Sequence, residues 1–537
     1  MILSEKGLQD RKTWEEKGYR LPQYDRKAMI ERTKANPVWV HFGAGNIFRA
    51  FQANIAQILL NQGVMDCGII VAEGFDYEIV EKEYLPNDNY SVLVTLKSDG
   101  QIEKTVVGSI AESCILDSDN DKGFGRLKEI FVADSLQLAT FTITEKGYSL
   151  VDGKGLLLKE VAADLEAGPA KPVSYMGKVA ALLYVRYKNG QKPIAMVSND
   201  NCSHNGDKLY AAMNGFAEKW VESGKAEPGF LEYLNDRQKV TFPWTMIDKI
   251  TPRPDESVNE FLQNDGMEGL APVITSKNSY VAPFVNAEET EYLVIEDAFP
   301  NGRPALEKAG VIFTDKETVD KVEKMKVCTC LNPLHTALAV FGCVLGYTRI
   351  SDELKDRELI SLIKKIGYEE GLPVVINPGV LDPREFIDTV INVRLPNPFM
   401  PDTPQRIATD TSQKLAIRFG ETIANYIREG REVKALKLIP LVFAGWLRYL
   451  MGIDDQGERF EISPDPLLET VCPYVAGFRL GEKADVEEAL KPILENAQIF
   501  GLNLYEAGMS ELVCRYFTEL IAGKGAVRAC LKKYLDQ

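Results

Sequence analysis

The sequence predicts a two-domain protein, with an α/β domain followed by a mainly α-helical domain. Over roughly the first 300 residues, short apolar segments alternate with longer segments of helical periodicity. From about residue 315 almost every segment has helical periodicity. Because such a change of pattern marks a change of architecture, we predict domains at residues 1–310 and 311–537.

Composition limits the classes of protein to consider. The chain has 537 residues, is 45% hydrophobic and carries a formal net charge of -16. This acidity argues against a nucleic-acid partner, because phosphate binding requires a basic face. The most apolar long window, residues 435–453, contains Lys437, Pro440 and Arg448, which argues against a membrane span. The nine cysteines form no disulfide framework, and the N-terminus lacks a signal-peptide core, so we expect a cytoplasmic protein.

The first ordered unit follows a polar segment, residues 1–36, that we expect to be irregular. Residues 39–42 read as a buried strand, residues 43–45 as a tight glycine turn, and the next segment as a helix that ends near Gly63. A second strand then ends in Glu73. Strand, glycine turn, helix, strand and acid in this order indicate a Rossmann-type dinucleotide-binding unit.

The glycine turn predicts the cofactor. Backbone N–H groups at the start of the helix would bind a pyrophosphate, and Glu73 would accept hydrogen bonds from ribose hydroxyls, which favours NAD over NADP. The predicted cofactor-binding residues are Gly43, Ala44, Gly45, Asn46, Ile47 and Glu73. Because Phe48 replaces the third glycine of the fingerprint, an ordinary structural βα turn is the alternative.

Further strands are predicted at residues 106–110, 136–144 and 194–200, with helices at 174–187 and 206–221. Polar residues follow several of these apolar segments, in loops where α/β sheets bind ligands. Candidate residues in these loops are Glu145, Asn199, Asp200, Asn201, His204 and Asp248. The alternative for each is ordinary turn chemistry.

The segment KVCTCLNPLH, residues 326–335, holds a lysine, an asparagine and a histidine close together. We predict Asn332 as a helix N-cap and Pro333 as the first helical residue, which places His335 in the first turn. The positive end of the helix dipole would keep that histidine neutral. Lys326 is the strong base nearby, and the alternative is a solvated surface lysine beside a simple cap.

Residues 403–430 read as one long helix, on which Arg406, Asp410 and Lys414 are spaced four apart. This spacing predicts a surface salt-bridge ladder, or alternatively cations presented to a substrate. With three histidines and no Cys/His ligand spacing, we predict no metal site.

Six motifs in order resemble the polyol-specific long-chain dehydrogenases, over roughly residues 37–450. They are FGAGNIFRAF, TEKGY, SNDNCSHNG, MIDKITPR, LNPLHTALAVFG and RIATDTSQK. The resemblance implies a Rossmann-type NAD-binding domain, a mainly helical substrate-binding domain, an active site between them, and metal-independent catalysis by a lysine. The family includes mannitol 2-dehydrogenase, fructuronate reductase and tagaturonate reductase.

The resemblance also implies roles for single residues. Lys326 falls on the catalytic acid/base, although it lies one residue further from the Leu-Asn pair than in relatives, which leaves Lys324 as an alternative. Other roles fall on Asn201 and Asn332 (oxyanion stabilisation), His335 (active-site histidine), Glu145 (proton exit), and Asp248, Arg406 and Lys414 (substrate contact).

The resemblance implies an NAD-dependent oxidoreductase, and within the family we expect the interconversion of D-mannonate and D-fructuronate. Our hypothesis is that Arg406 and Lys414 pair with the substrate carboxylate. Mannitol 2-dehydrogenase and tagaturonate reductase activities are the alternatives within the family. A non-catalytic NAD-binding redox sensor and a metal-dependent polyol dehydrogenase are the alternatives outside it. The expected partner is a small sugar acid or polyol, with the chain acting as a monomer or small homo-oligomer.

Overall fold

The computed structural model describes residues 1–254 and 256–535. The chain forms two compact units, one of residues 1–97 and 101–320, the other of residues 98–100 and 321–537. The first unit combines strands and helices, whereas the second is mainly helical. The predicted fold class, an α/β Rossmann-type domain followed by a mainly helical domain, is therefore confirmed.

The strands lie in the first unit. In chain order they are β1 (Tyr19–Arg20), β2 (Trp39–Phe42), β3 (Ile69–Glu73), β4 (Ser91–Leu96), β5 (Ile102–Val107), β6 (Ile110–Ile115), β7 (Leu138–Phe141), β8 (Ile194–Ser198), β9 (Val240–Thr241), β10 (Thr245–Asp248), β11 (Val273–Ile274), β12 (Tyr280–Val281), β13 (Phe284–Glu288), β14 (Tyr292–Glu296) and β15 (Ile312–Thr314).

The main sheet has six strands in the order β6-β3-β2-β7-β8-β9. Every neighbouring pair in this sheet is parallel. Counted along the chain within this sheet, the order is 3-2-1-4-5-6, that of dinucleotide-binding folds. The order reverses between β2 and β7, and ligands bind beyond the carboxyl ends of the strands at such a reversal. The glycine turn follows β2 directly, so it lies at this point.

Both faces of the sheet are covered, as a parallel sheet requires. Val40 and Phe42 belong to one apolar core, which the helices at 121–132, 175–188 and 205–222 complete. Trp39 belongs to the opposite core, together with residues of the helix that follows the glycine turn. Alternate residues of one short strand therefore serve two cores, which explains why every residue of the strand is buried.

The α-helices that begin in the first unit are α1 (Arg11–Glu16), α2 (Arg26–Ala35), α3 (Ala53–Asn61), α4 (Asp121–Val132), α5 (Lys159–Ala167), α6 (Tyr175–Lys188), α7 (Asn205–Glu222), α8 (Pro228–Asn235), α9 (Glu256–Asn264) and α10 (Lys316–Met325). Those of the second unit are α11 (Asn332–Leu345), α12 (Ile350–Glu353), α13 (Arg357–Lys365), α14 (Pro383–Thr389), α15 (Pro404–Ile407), α16 (Glu421–Arg428), α17 (Leu438–Tyr449), α18 (Leu468–Val471), α19 (Val486–Leu494), α20 (Ala497–Phe500), α21 (Ser510–Leu520) and α22 (Ala526–Leu535).

Wider, π-helical turns occur in both units. They are Phe48–Gln52, Val80–Tyr84, Lys326–Cys330, Ile366–Gly371, Val390–Arg394 and Ala416–Gly420.

Three sequence-based expectations about elements were wrong. Residues 1–36 are not irregular, because they form α1, β1 and α2 and bury Trp14 to 1% exposure. Residues 106–110 are not one strand, because β5 ends and β6 begins around Gly108, whose N–H donates to Gln57 instead of a neighbouring strand. Residues 403–430 are not one helix, because Asp410 adopts a left-handed conformation, with φ of 55°, between α15 and the next helical turn.

One helical stretch, Lys316–Leu345, has the length and apolarity of a membrane span, but 78% of its most apolar window is buried inside the protein. The window that sequence analysis rejected as a span contains α17, whose twelve residues are all buried. Both segments therefore have the burial expected of core helices.

Candidate functional site

The turn after β2 contains two glycines, and the absence of a side chain matters at each for a different physical reason. Gly43 has φ of 106°, and a Cβ atom on it would lie 2.2 Å from the carbonyl oxygen of Thr142. The fold itself therefore requires glycine there. A Cβ atom on Gly45 would meet nothing within 4 Å. The open space beside Gly45, at the start of a helix, has the form of a cradle for a dinucleotide pyrophosphate, so the turn fits the predicted cofactor.

Glu73 supports this turn from below. Its Oε2 accepts the N–H of Ala44 at 2.8 Å, and its Oε1 accepts those of Phe75 and Asp76 at 2.7 and 3.0 Å. The carboxylate is 5% exposed and has about four acceptor positions, of which three are used. This geometry argues against the predicted ribose contact of Glu73. It also removes the Ala44 N–H from the groups that the turn offers to phosphate.

Asn46 is likewise engaged within the protein. Its Oδ1 accepts a hydrogen bond of 2.9 Å from Arg49, which is 1% exposed and also donates to the carbonyl of Ala282 at 2.7 Å. The Asn46 side chain therefore fixes the first turn of the helix, and it offers a ligand mainly its backbone. Of the predicted cofactor residues, Gly45 and Ile47 have the most open surroundings.

A cavity of about 290 Å³ lies at the carboxyl edge of the main sheet, beside the helix start. It is lined by Ile47, Thr144, Glu145, Asn199, Asp200, Asn201, Ile247 and Lys249. Three residues predicted from separate motifs, Ile47, Glu145 and Asn201, therefore meet around one space. Asp248 is the last residue of β10, follows the lining residue Ile247, and is 5% exposed.

Asp200 organises the loops around this cavity. Its carboxylate accepts the N–H groups of Ile143 and Thr144 at 2.9 and 2.8 Å, and the hydroxyl of Tyr148 at 2.5 Å. Burial raises the pKa of Asp200, against the lowering effect of these donors. Thr144 has φ of 65°, a strained conformation that these bonds help to hold.

Asp200 holds the backbone of Thr144 and therefore helps to position Glu145, the residue after Thr144. Glu145 forms an ion pair of 3.0 Å with Lys208, and its side chain is 62% exposed. From the sequence, Asp200 was only one of several candidate loop residues, and Lys249 was not a candidate. The apolar strands could have indicated both residues, because Asp200 comes shortly after β8 and Lys249 directly after β10.

In the second unit, Lys326 begins a π-helical turn, Lys326–Cys330, and its side chain is buried, with 5% exposure for the residue. Lys324, the alternative catalytic base, is exposed. Asn332 is the first residue of α11, so the prediction that it is the N-cap was wrong: Leu331 occupies that position without a side-chain cap. The Asn332 side-chain amide forms no hydrogen bond within the described residues, which leaves its N–H groups available to a ligand.

His335 lies in the first turn of α11, as predicted. Burial, with added effects of the positive charges of Arg418, Arg394, Arg406 and Lys414, lowers the pKa of His335 to about 3. The imidazole is therefore neutral at pH 7. The sequence argument gave the same state for another reason, the helix dipole. Its Nε2 is buried, has no hydrogen-bond partner in the described part of the chain, and lies 3.7 Å from Asp402 Oδ2.

The predicted ladder of Arg406, Asp410 and Lys414 does not form, because the helix breaks at Asp410. Arg406 instead forms an ion pair with Asp402, and its side chain is 61% exposed. The Nζ atom of Lys414 donates to the carbonyl of Thr409 at 2.5 Å. Burial is the main cause that lowers the pKa of Lys414, and Arg418 adds to it. Both predicted substrate-binding cations thus already have partners in the protein.

Comparisons with known proteins decide the family. Residues 38–308 match the model of the mannitol dehydrogenase Rossmann domain, and residues 318–519 match the mannitol dehydrogenase C-terminal domain. The chain belongs to the mannitol dehydrogenase family. The resemblance drawn from six motifs is therefore confirmed, and so is the prediction that the chain is an enzyme, a dehydrogenase.

Individual relatives resemble the chain over its whole length. D-mannonate oxidoreductase of Thermotoga maritima is 52% identical over 540 residues, which cover 100% of this chain and 99% of that protein. A crystal structure of D-sorbitol dehydrogenase in substrate-free form is 26% identical, with a TM-score of 0.80, and covers 99% of this chain and 100% of its own.

A further solved structure is the Pseudomonas fluorescens mannitol 2-dehydrogenase in a ternary complex with NAD and D-mannitol. It is 25% identical to this chain, with a TM-score of 0.68, and covers 100% of both chains. Among the described residues, no group of three or more His, Cys, Asp or Glu side chains has the arrangement of a metal site.

Proposed function

We propose that this enzyme is an NAD-dependent oxidoreductase that interconverts D-mannonate and D-fructuronate. The observation that carries the proposal is the 52% identity, over the full length, to the Thermotoga enzyme named for D-mannonate. Oxidation of mannitol and reduction of tagaturonate are the alternatives within the family. We further propose that residues 1–310 bind NAD, that residues 311–537 bind the substrate, and that the enzyme acts in the cytoplasm.

NAD, when bound, accepts or supplies a hydride at its nicotinamide ring. The chain would hold it at the turn of Gly43 and Gly45, where the missing Cβ of Gly45 leaves room for the pyrophosphate. Glu73 has a positioning role in this proposal, because it fixes the Ala44 N–H and so the shape of the turn. The open first turn of the helix, including Ile47, would lie against the cofactor.

The proton is handled by Lys326 in this proposal. Lys326 donates a proton to the substrate oxygen during reduction and removes it during oxidation. Side-chain amides of Asn201 and Asn332 donate hydrogen bonds to that oxygen while it carries negative charge; one such donor contributes about 3 kcal/mol. The free amide of Asn332 supports this assignment, because a donor without a protein partner is ready for a ligand.

His335 holds a neighbouring substrate hydroxyl in this proposal. A neutral imidazole both donates and accepts, so it suits a hydroxyl, which also does both. The buried Nε2 atom without a partner supports this role. Glu145, which lines the cavity and pairs with Lys208, would pass the proton to solvent, and Asp248 would contact the substrate.

A substrate panel tests the proposal. D-mannonate, D-altronate, D-mannitol and D-sorbitol are each offered with NAD and with NADP, and nicotinamide absorbance is followed. We expect the highest kcat/KM with D-mannonate and NAD, and no loss of activity after treatment with a chelator. A clear preference for a neutral polyol would reject the sugar-acid assignment, and loss of activity in chelator would reject metal independence.

A further inference from the structure

Arg418 is a cation beside the candidate site that the sequence analysis did not select. It lies in the π-helical turn Ala416–Gly420, and its Nη1 atom donates a hydrogen bond to the hydroxyl of Thr336. That hydroxyl donates to the carbonyl of Asn332 at 2.8 Å. The guanidinium is therefore held against the first turn of α11, which carries Asn332 and His335.

The guanidinium of Arg418 has few partners although it is partly buried. Burial lowers its pKa to about 10, and the described residues provide no carboxylate within ion-pair distance of it. Its recorded partner is the uncharged hydroxyl of Thr336. A guanidinium has five N–H donors, so most of its capacity is available to a ligand.

Two fully buried arginines, Arg186 and Arg448, each have several carbonyl partners. Arg186 donates to the carbonyls of Phe131, Ala133, Leu136, Lys192 and Pro193. Arg448 donates to three carbonyls, those of Leu520, Ile453 and Asp454. These residues have structural roles that account for their burial. Arg418 is only partly buried, but its single protein contact within the described residues does not account for the cost of removing its charge from water.

The two cations that the sequence offered for a substrate carboxylate are less suitable. Arg406 already pairs with Asp402, and Lys414 donates to a backbone carbonyl. An incoming carboxylate would have to compete with Asp402 for Arg406, and the two negative charges would repel each other. At Arg418 it would meet an uncompensated charge.

We propose that Arg418 binds the carboxylate of the sugar-acid substrate and so selects sugar acids over neutral polyols. The inference deepens the proposed function and depends on it. In D-mannonate the carboxylate lies at the far end of the carbon chain from the reacting carbon. A planar guanidinium binds a carboxylate through two parallel hydrogen bonds, which a neutral hydroxyl cannot match. Arg418 also acts on His335: after burial, the positive charge of Arg418 makes the largest contribution to the lowered pKa of this imidazole.

The test compares an acid with a neutral substrate in variants of Arg418. In Arg418→Met, we expect kcat/KM for D-mannonate to fall about 100-fold, mainly through KM, because a hydrogen-bonded charge pair is lost. Activity on D-mannitol should stay the same or rise. Arg418→Lys should restore part of the activity on D-mannonate, because it keeps the charge and loses the paired geometry.

Three comparisons make the result specific. Arg428→Met removes the same charge from an exposed arginine of α16 and should leave both substrates unaffected. The midpoint of thermal unfolding of each variant, with and without D-mannonate, separates lost binding from lost folding. If Arg418→Met unfolds, Arg418→Lys carries the test, and it must still lose more on D-mannonate than on D-mannitol.

Equal losses on both substrates, or an unchanged KM for D-mannonate, would overturn the role of Arg418. A larger acid-specific loss in Arg406→Met would assign the carboxylate to Arg406 instead. Failure of the wild-type enzyme to oxidise D-mannonate would reject the proposed function itself, and that outcome is read before any variant is made.

Discussion

The two candidate regions treat charged side chains in opposite ways. In the first unit, the buried carboxylates Glu73 and Asp200 each accept backbone N–H groups and hold loops in place. In the second unit, Arg418 and the imidazole of His335 are partly buried, and they have few partners within the described residues. Acids that accept several backbone N–H groups fix a shape, whereas polar groups with few partners are prepared for a ligand. The difference separates positioning residues from candidate binding residues.

Lys326→Ala should have the largest effect on the second region. If Lys326 transfers the proton, kcat should fall about 10²- to 10⁴-fold with both D-mannonate and D-mannitol. Lys324→Ala is the matched control, because Lys324 is exposed and only two positions away, and it should retain activity. Binding of NADH, measured by fluorescence titration, should be unchanged in both. Full activity in Lys326→Ala would reject Lys326 as the acid/base of the reaction.

Within the first region, the two glycines of the turn should separate an effect on stability from an effect on cofactor binding. Gly43→Ala should lower the free energy of unfolding by about 1–3 kcal/mol, because a Cβ atom would clash with the Thr142 carbonyl at a positive φ. Gly45→Ala should unfold at the same temperature as the wild type and bind NADH about tenfold or more weakly. Thermal unfolding and fluorescence titration measure the two effects. Equal losses of stability in both variants would mean that the space beside Gly45 is not kept for a ligand.

A smaller effect is expected in the pH dependence of stability. The pKa of His335 is about 3 in the folded protein and about 6.5 in the unfolded chain. Between these values only the unfolded chain binds the proton, so stability falls as the pH is lowered from about 6.5 towards 3. The slope from this group is at most about 1.4 kcal/mol per pH unit.

Urea unfolding of His335→Gln and of the wild type at several pH values measures this contribution. As the pH falls below about 6.5, the wild type should lose more free energy of unfolding than the variant, because only the wild type carries His335. A constant difference over that range would show that His335 is not held neutral in the folded state. The other histidines, including the buried His41, are present in both proteins, so their contributions to the pH dependence cancel.

The sequence was informative where a local pattern determines local structure. The buried strand at 39–42, the tight turn at Gly43 and the strand end at Glu73 follow from short apolar runs and turn chemistry, which depend on near neighbours. The role of Glu73 did not follow, because its partners Ala44, Phe75 and Asp76 compete with a ligand for the same oxygens. A sequence does not reveal which acceptors are already occupied.

The same limit explains the segment 403–430. Its helical periodicity suggested one helix with a charge ladder, but the left-handed turn at Asp410 interrupts it. The N–H of Asp410 donates to the carbonyl of Pro464, a residue distant in sequence. Arg406 was therefore selected by spacing alone, whereas Arg418, which the spacing did not indicate, has an uncharged partner, Thr336, and no paired carboxylate among the described residues. Partners that are distant along the chain decided both outcomes.

The π-helical turn Lys326–Cys330 has a consequence for how tolerant the chain is to insertions and deletions. Lys326 and Asn332 are set in relative angular phase by this wide turn, in which the N–H of Leu331 donates to the carbonyl of Lys326 at 3.1 Å. Removing a single residue between them would convert the turn to an α-helical one and rotate the lysine by about 100° around the helix axis. The length of this short stretch is therefore under a stricter geometric constraint than the identity of Val327 or Thr329 within it.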